Sequence, residues 1–158
     1  MHNNKSYSFD EILSKLMRYC SYQERSLFEI RQKARTLGAN NEESQRLIKA
    51  LEEDGFFNEK RFVEAYVRGK LKIKRWGKYK IIEGLYAKGV SKQNIEEAVE
   101  AIPAETYKDN LKYLLDKRKV TGCLSPDEVA KHFRYFLSKG YESTEIEQLF
   151  REKKWMKQ

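Results

Sequence analysis

The chain has 158 residues, and its 32 lysines and arginines against 24 aspartates and glutamates give a net charge of +8. Charged residues make up 35% and hydrophobic residues 40%, which predicts a small core, while 13% aromatic residues are too many for a disordered polar chain. No apolar run approaches the ~18 residues of a membrane span, and Met1 to Asp10 lack the apolar stretch of a signal peptide. We therefore expect a folded cytoplasmic protein with an anionic partner and no membrane association.

Motifs for catalysis and for metal binding are missing from the sequence. Cys20 and Cys123 are too few for a disulfide framework, and His2 and His132 do not supply the ligands of a structural zinc. A phosphate-binding glycine loop, Gly-x-Ser-x-Gly and His-Glu-x-x-His do not occur. We expect no catalytic residue, cofactor or metal, although a site assembled from distant residues would leave no local motif.

Hydrophobic residues recur with helical spacing through almost the whole chain, and alternating strand patterns are not convincing. Three predicted helix starts carry a capping box, in which a serine and a glutamate three positions later satisfy each other's backbone N–H groups: Ser8–Glu11, Ser21–Glu24 and Ser125–Glu128. Pro103 and Pro126 also indicate helix starts. The pattern predicts nine helices, at residues 9–20, 22–37, 41–54, 58–75, 78–88, 91–102, 104–119, 126–139 and 143–155.

Glycines that follow the predicted helices are evenly spaced. Gly38, Gly89 and Gly140 are separated by 51 residues in both intervals, and each can end a helix in the left-handed conformation. Hydrophobic residues recur four positions before and ten positions after these glycines: Ala34, Leu85, Phe136, Ile48, Val99 and Phe150. Equal spacing could arise by chance in a helical chain, but the matching side chains favour an internal repeat.

The repeat predicts an all-α fold of three tandem three-helix repeats, at residues 1–55, 56–102 and 103–158. A unit of this size buries little surface on its own. Neighbouring units should therefore stack into an elongated, curved body.

Basic residues are concentrated near the middle of the chain. Seven lie between Glu64 and Glu83, and no acidic residue interrupts them. The predicted interaction surface consists of these residues with Arg61 and Trp76: Arg61, Arg68, Lys70, Lys72, Lys74, Arg75, Trp76, Lys78 and Lys80. A solvated charged face is the alternative.

Periodicity suggests how some of these side chains are arranged. If the fourth helix continues to Arg75, then Arg61, Arg68, Lys72 and Arg75 form one stripe along it. Trp76 either stacks on a base or a partner protein, or closes the core where two helices meet. On the next helix, Tyr79 and Tyr86 are predicted to belong to the core.

The sequence around this region resembles a known family. Residues 51–68, LEEDGFFNEKRFVEAYVR, resemble the central signature of the RecX family of bacterial recombination regulators. Weaker similarity to that family's repeats appears at residues 21–31, 88–98 and 136–146, so that the resemblance covers about residues 12–150. Two departures concern the basic region. Residues 73–76 replace a shorter glycine-containing turn, and Lys80 stands where the family often has arginine.

The resemblance implies tandem three-helix repeats, in agreement with the glycine spacing. It also implies a non-catalytic regulator that binds the RecA recombinase and its filament on single- or double-stranded DNA without sequence preference. The stacked repeat with its charged surface separately predicts a monomer. Such a regulator mainly inhibits the recombinase, ATPase and co-protease activities of RecA in DNA repair and the SOS response.

An independent DNA-binding protein of helix-turn-helix type is the alternative function. It would select one duplex sequence over others, whereas the filament regulator would not. Its affinity should fall steeply with salt.

Overall fold

A computed structural model describes residues 6–120 and 122–156; His2 lies outside these ranges. Over the described residues the chain forms nine α-helices, one π-helical turn and no strand, which confirms the all-α prediction. The helices are α1 (Phe9–Tyr22), α2 (Leu27–Thr36), α3 (Asn41–Glu53), α4 (Glu59–Gly69), α5 (Lys78–Ala87), α6 (Lys92–Glu100), α7 (Ala104–Lys117), α8 (Pro126–Ser138) and α9 (Ser143–Glu152), and the π-helical turn is Lys70–Lys74. Within the described ranges, no helix combines the length and apolar character needed to cross a bilayer.

Two of the three predicted capping boxes are confirmed. The backbone N–H of Glu11 donates to the Ser8 hydroxyl over 3.2 Å at the start of α1. At the start of α8, Glu128 donates to Ser125 over 3.3 Å, and Pro126 takes the first helical position. These bonds are local in sequence, which is why the pattern predicts them.

The capping box predicted at Ser21 is wrong. Helix α1 continues through Ser21, whose hydroxyl donates to the Met17 carbonyl over 2.8 Å instead of accepting at a new helix start. The box lies five residues later, where the Glu29 N–H donates to the Ser26 hydroxyl over 3.1 Å and the Glu29 carboxylate accepts from the Ser26 N–H over 2.9 Å. The same serine-to-glutamate spacing occurs twice in succession, and only the second copy caps a helix.

The glycine turns share one backbone geometry. Gly38, Gly89 and Gly140 have φ angles of +100°, +78° and +96°. At each turn the residue after the glycine donates its N–H to the carbonyl five positions earlier, and the three bonds are Ala39 to Ala34 at 3.0 Å, Val90 to Leu85 at 3.2 Å and Tyr141 to Phe136 at 3.2 Å. The 51-residue spacing is therefore repeated in the hydrogen bonds that end helices α2, α5 and α8.

Buried hydrophobic residues form two clusters. The first belongs to α1–α3 and includes Leu16, Ile30 and Leu47, with Phe57 beyond α3. The second extends from Phe62 in α4 to Phe150 in α9. Helices α4–α9 thus share one core, and the boundaries at residues 55 and 102 stay predictions.

Ion pairs connect the first cluster to the second. The Arg61 guanidinium of α4 binds the Glu24 carboxylate, and the Lys88 ammonium binds Glu29 at 2.9 Å. These two ion pairs join α4 and the end of α5 to the segment from Glu24 to Glu29.

Backbone bonds connect the start of α5 to the turn between α8 and α9. The Gly77 N–H donates to the Lys139 carbonyl over 2.7 Å, and the Tyr79 N–H donates to the Gly140 carbonyl over 3.0 Å. A Cβ atom on Gly77 would overlap the Gly140 carbonyl, and a Cβ atom on Gly140 would overlap Lys80. The approach therefore needs glycine at both positions.

Candidate interaction surface

The basic region is built on a π-helical turn instead of a continued α-helix. Helix α4 ends at Gly69, and the N–H groups of Arg75 and Trp76 both donate to the Lys70 carbonyl. Arg75 is left-handed, with φ +54°, and ends the turn. The predicted α-helix through residue 75 is therefore wrong, because residues 70–74 form a wider π-helical turn.

Arg75 is held by neighbouring helices. Its guanidinium donates to the Asn110 amide oxygen over 2.8 Å and lies 3.5 Å from the centre of the Tyr113 ring. Asn110 is buried, and its amide nitrogen donates to the Leu71 carbonyl over 3.0 Å. The Tyr141 hydroxyl donates to the Arg75 carbonyl over 2.7 Å. Arg75 is thus a structural joint between the π-helical turn and the α7–α9 region.

Arg61 is also engaged within the chain. Besides its ion pair with Glu24, its guanidinium donates to the Gly55 carbonyl over 2.9 Å. The sequence pattern treats Arg61 as one of four exposed cations on a stripe. The fold instead uses it to bind α4 to the first cluster, because its carboxylate partner lies far away in sequence and close in space.

Three of the predicted stripe residues meet at a cleft. Arg68, Lys72 and Arg75 line a cavity of about 610 Å³ between the π-helical turn and α6–α7, and Arg68 and Lys72 are exposed. The apolar residues that line it include Val67, Leu71, Ala98 and Ile102. Glu64 and Asp109 are its acidic lining residues. Over residues 6–120 and 122–156, neither Arg68 nor Lys72 takes part in an ion pair.

Other residues of the turn line a different cleft. Lys70, Lys74 and Ile73, which is 77% exposed, border a cavity of about 350 Å³. Glu24 and Glu29 of the first cluster's segment complete this cavity. The predicted surface is therefore divided, with Arg68 and Lys72 at one cleft and Lys70 and Lys74 at another.

Trp76 is half-buried and packs against the second core cluster. The Lys70 and Lys80 ammonium groups lie 4.5 Å and 4.8 Å from the centre of its ring. The packing favours the role of closing the core over that of a free stacking platform. The ring also gathers two cations by cation–π attraction.

Lys78, at the start of α5, lies over the buried Tyr107 of α7. Its ammonium is 4.8 Å from the centre of the Tyr107 ring, and its backbone N–H donates to the Tyr107 hydroxyl over 2.9 Å. Burial raises the pKa values of both Tyr107 and Tyr141, so that their phenols stay protonated. Burial, followed by the charge of Glu142, also raises the pKa of Glu145, against the opposing attraction of Lys78. This part of the surface carries both signs of charge.

Comparison with known proteins gives the chain a family. A family model described as RecX, second three-helix domain, matches residues 58–99. A curated protein of Clostridium botulinum (strain Alaska E43 / Type E3), named Regulatory protein RecX, is 33% identical over 118 residues, which cover 72% of this chain and 54% of that protein. A protein of the same name from Clostridium tetani is 31% identical over 108 residues, which cover 66% of this chain and 49% of that protein.

The chain belongs to the RecX family. It spans about half the length of the curated relatives it matches. The crystal structure of RecX from Lactobacillus salivarius superposes with a TM-score of 0.82 at 21% identity and covers 94% of this chain and 97% of that one. A second crystal structure, of regulatory protein RecX, superposes with a TM-score of 0.79 at 22% identity and covers 89% of this chain and 71% of that one. These two structures show that the fold is shared, and the prediction of three-helix repeats is confirmed.

The matched RecX domain includes all nine predicted surface residues. It extends from the N-cap of α4 into α6 and so contains the whole π-helical turn. Residues 73–76, where this sequence departs from the family pattern, lie at the end of that turn.

Sequence reasoning missed the residues of α7 that position the turn. Asn110 and Tyr113 carry no motif, and they act through partners more than 30 residues away. The prediction that Tyr79 and Tyr86 belong to the core is wrong, because they are 60% and 52% exposed. Helix α5 instead buries Ile81 and Leu85, which leaves these tyrosines toward solvent.

Proposed function

We propose that this RecX family chain is a non-catalytic regulator that binds the RecA recombinase on DNA and mainly inhibits its activity. The curated relatives carry the name Regulatory protein RecX, and the family resemblance implies RecA as the partner. No covalent step is needed. A protein that occupies a filament can restrain it by binding alone.

The pair of exposed, unpaired cations at the 610 Å³ cleft is the observation that carries this proposal. Arg68 and Lys72 stand beside an apolar floor, over the described residues neither has a carboxylate partner, and the cleft is fixed from behind by Arg75 and Asn110. A RecA filament offers acidic side chains and DNA phosphates. Arg68 can bind either group in a bidentate manner, and Lys72 adds a second charge.

The other predicted residues have different roles in the proposal. Lys74 is exposed and supplies a further contact, while Lys70 and Lys80 are held over Trp76 and add to the local positive potential. Arg61 and Arg75 hold the surface in place and do not contact the partner. DNA contacts go to phosphates, so binding does not depend on base sequence.

ATP hydrolysis by RecA on single-stranded DNA tests the proposal. We expect the added protein to lower the hydrolysis rate in proportion to filament occupancy, and to lower strand exchange in parallel. The protein alone should hydrolyse no ATP. Unchanged ATPase and strand exchange at saturating protein would contradict the proposed function.

A further inference from the structure

Helix α1 carries a second basic surface, remote in sequence from the π-helical turn. Its buried face is formed by Ile12, Leu16 and Cys20. A different face presents residues with the spacing i, i+3, i+4 and i+7: Lys15, Arg18, Tyr19 and Tyr22. These four residues line a shallow groove of about 380 Å³ together with Arg25, Lys33 and Leu37.

The groove is preorganised around Tyr19. The Arg25 Nε donates to the Tyr19 carbonyl over 3.0 Å, and the guanidinium carbon lies 3.7 Å from the centre of the Tyr19 ring. The Lys33 ammonium of α2 lies 5.6 Å from the same ring. An arginine and a lysine are thus brought to one aromatic side chain from different elements, and a ligand need not order this arginine when it binds.

The described residues that line the groove carry only positive charge. The charged residues in its lining are Lys15, Arg18, Arg25 and Lys33. Among the described residues, no aspartate or glutamate lines the groove. The acids that lie beside Arg25 in sequence are bound elsewhere, Glu24 by Arg61 and Glu29 by Lys88. In the part of the chain that the structure describes, none of the four cations forms an ion pair.

Tyr22 gives the groove a free aromatic surface. This residue is 83% exposed, and the Arg25 guanidinium carbon lies 5.9 Å from the centre of its ring. An exposed tyrosine beside four cations matches the chemistry of nucleic-acid sites, where bases stack on aromatic rings and phosphates bind lysine and arginine. Only unpaired bases offer their faces to such a ring.

We propose that this α1–α2 groove binds single-stranded nucleic acid. The phosphates lie along Lys15, Arg18, Arg25 and Lys33, and a base stacks on Tyr22. The site does not depend on the proposed function, because it needs no RecA and uses none of the residues at the 610 Å³ cleft.

Fluorescence anisotropy with the full chain and a labelled 20-nucleotide deoxythymidine oligomer tests the proposal. Tyr22→Ala should weaken binding by about fivefold or more, and Tyr22→Phe should restore it, because stacking needs the ring and not the hydroxyl. The pair Arg18→Gln and Lys33→Gln should flatten the slope of log K against log salt by about 1.4, because each phosphate that a protein neutralises on a single strand contributes about 0.7 to that slope.

A matched control removes two positive charges elsewhere. Lys49→Gln with Lys131→Gln, both exposed, gives the same net charge and should leave the slope within error of wild type. A duplex of equal length should bind more weakly than the single strand. Equal effects of the two charge-removing pairs, or no effect of Tyr22→Ala, would overturn the proposal.

Photocrosslinking locates the site and separates it from other ligands. With 5-iodouracil in the oligomer, the crosslinked peptide should contain Tyr22. Crosslinks confined to residues 61–80 would overturn the proposal and leave the proposed function intact. Displacement of the oligomer by polyglutamate at equal charge concentration would also overturn it, since the groove would then select acidic protein surfaces by charge alone.

Discussion

Asn110 in α7 accepts a 2.8 Å hydrogen bond from the guanidinium of Arg75, the residue that ends the π-helical turn. Through the same side chain, α7 also donates to the Leu71 carbonyl inside the turn. The buried amide of Asn110 therefore forms hydrogen bonds both with a carbonyl of the turn and with the arginine that follows it. This contact therefore ties the π-helical turn, which carries the basic residues, to α7.

Replacement of this amide should destabilise the fold. Asn110→Ala leaves the buried Leu71 carbonyl and the Arg75 guanidinium without their partner, and we expect a loss of about 1–3 kcal/mol in the free energy of unfolding. Urea unfolding measures it. The exposed Asn41 provides the control, with a change for Asn41→Ala within about 0.5 kcal/mol. Equal effects at the two positions would refute the structural role of Asn110.

Alanine substitutions at two glycines with similar backbone angles distinguish the cost of steric overlap from the cost of backbone strain. Gly140 and Gly38 have φ angles of +96° and +100°, but a Cβ atom would overlap Lys80 at Gly140 and meet nothing within 4 Å at Gly38. Gly38→Ala should cost about 1–2 kcal/mol through the left-handed conformation alone. Gly140→Ala should cost about 1–3 kcal/mol more, because the α5 contact must open. Unfolding free energies that agree for the two variants would show that the close contact is not maintained.

Two serines distinguish the two possible starts of α2. Ser26→Ala removes the N-cap and should cost about 1 kcal/mol, while Ser21→Ala should be nearly neutral because its hydroxyl only binds the Met17 carbonyl on the exposed side of α1. Thermal unfolding of the two single variants compares them directly. A larger loss for Ser21→Ala would place the helix start where the sequence pattern first predicts it.

Glu145 should make stability depend on pH. Burial raises the pKa of its carboxyl group above the ordinary value of 4.5, and the buried Oε2 has no hydrogen-bond partner among the described residues. The folded state therefore holds this proton more tightly than the unfolded state. The Glu145 contribution to stability falls as the pH rises from the ordinary pKa of 4.5 through the raised pKa of the folded state, and it stays low at higher pH.

Glu145→Gln replaces the carboxyl group by a neutral amide and so removes the loss of stability that its ionisation causes. The variant should gain stability relative to wild type at pH 7, and the gain should shrink at pH 3, where Glu145 is protonated in both states. Urea unfolding at the two pH values measures the difference, with the exposed Glu83→Gln as control. A gain of the same size at both pH values would exclude a role of the Glu145 charge.

Features that depend on neighbours in sequence were predictable. The helix starts at Ser8 and Ser125 and the helix stops at the repeated glycines follow from short motifs. Each cap is made by residues within five positions of each other. Leu85 and Phe136, which recur four positions before their glycines, are both fully buried.

Features that depend on distant partners were not predictable. Nothing local to Lys70–Lys74 indicates a π-helical turn, because the amide that supports it lies 39 residues further along the chain. The engagement of Arg61 by Glu24 and of Arg75 by Asn110 likewise follows from the packing of separate helices. Composition places positive charge in this region, but only the fold distinguishes the exposed Arg68 and Lys72 from arginines that serve the structure.

Charge reversal at the 610 Å³ cleft tests the central claim most directly. The half-inhibitory concentration for RecA ATPase on single-stranded DNA should rise about tenfold or more for Arg68→Glu with Lys72→Glu, equivalent to about 1.4 kcal/mol of binding free energy. The control pair Lys49→Glu with Lys131→Glu makes the same change in net charge at exposed sites and should inhibit nearly as well as wild type. Inhibition by the cleft variant at the wild-type concentration would contradict the account and leave Arg68 and Lys72 as solvated residues without a partner.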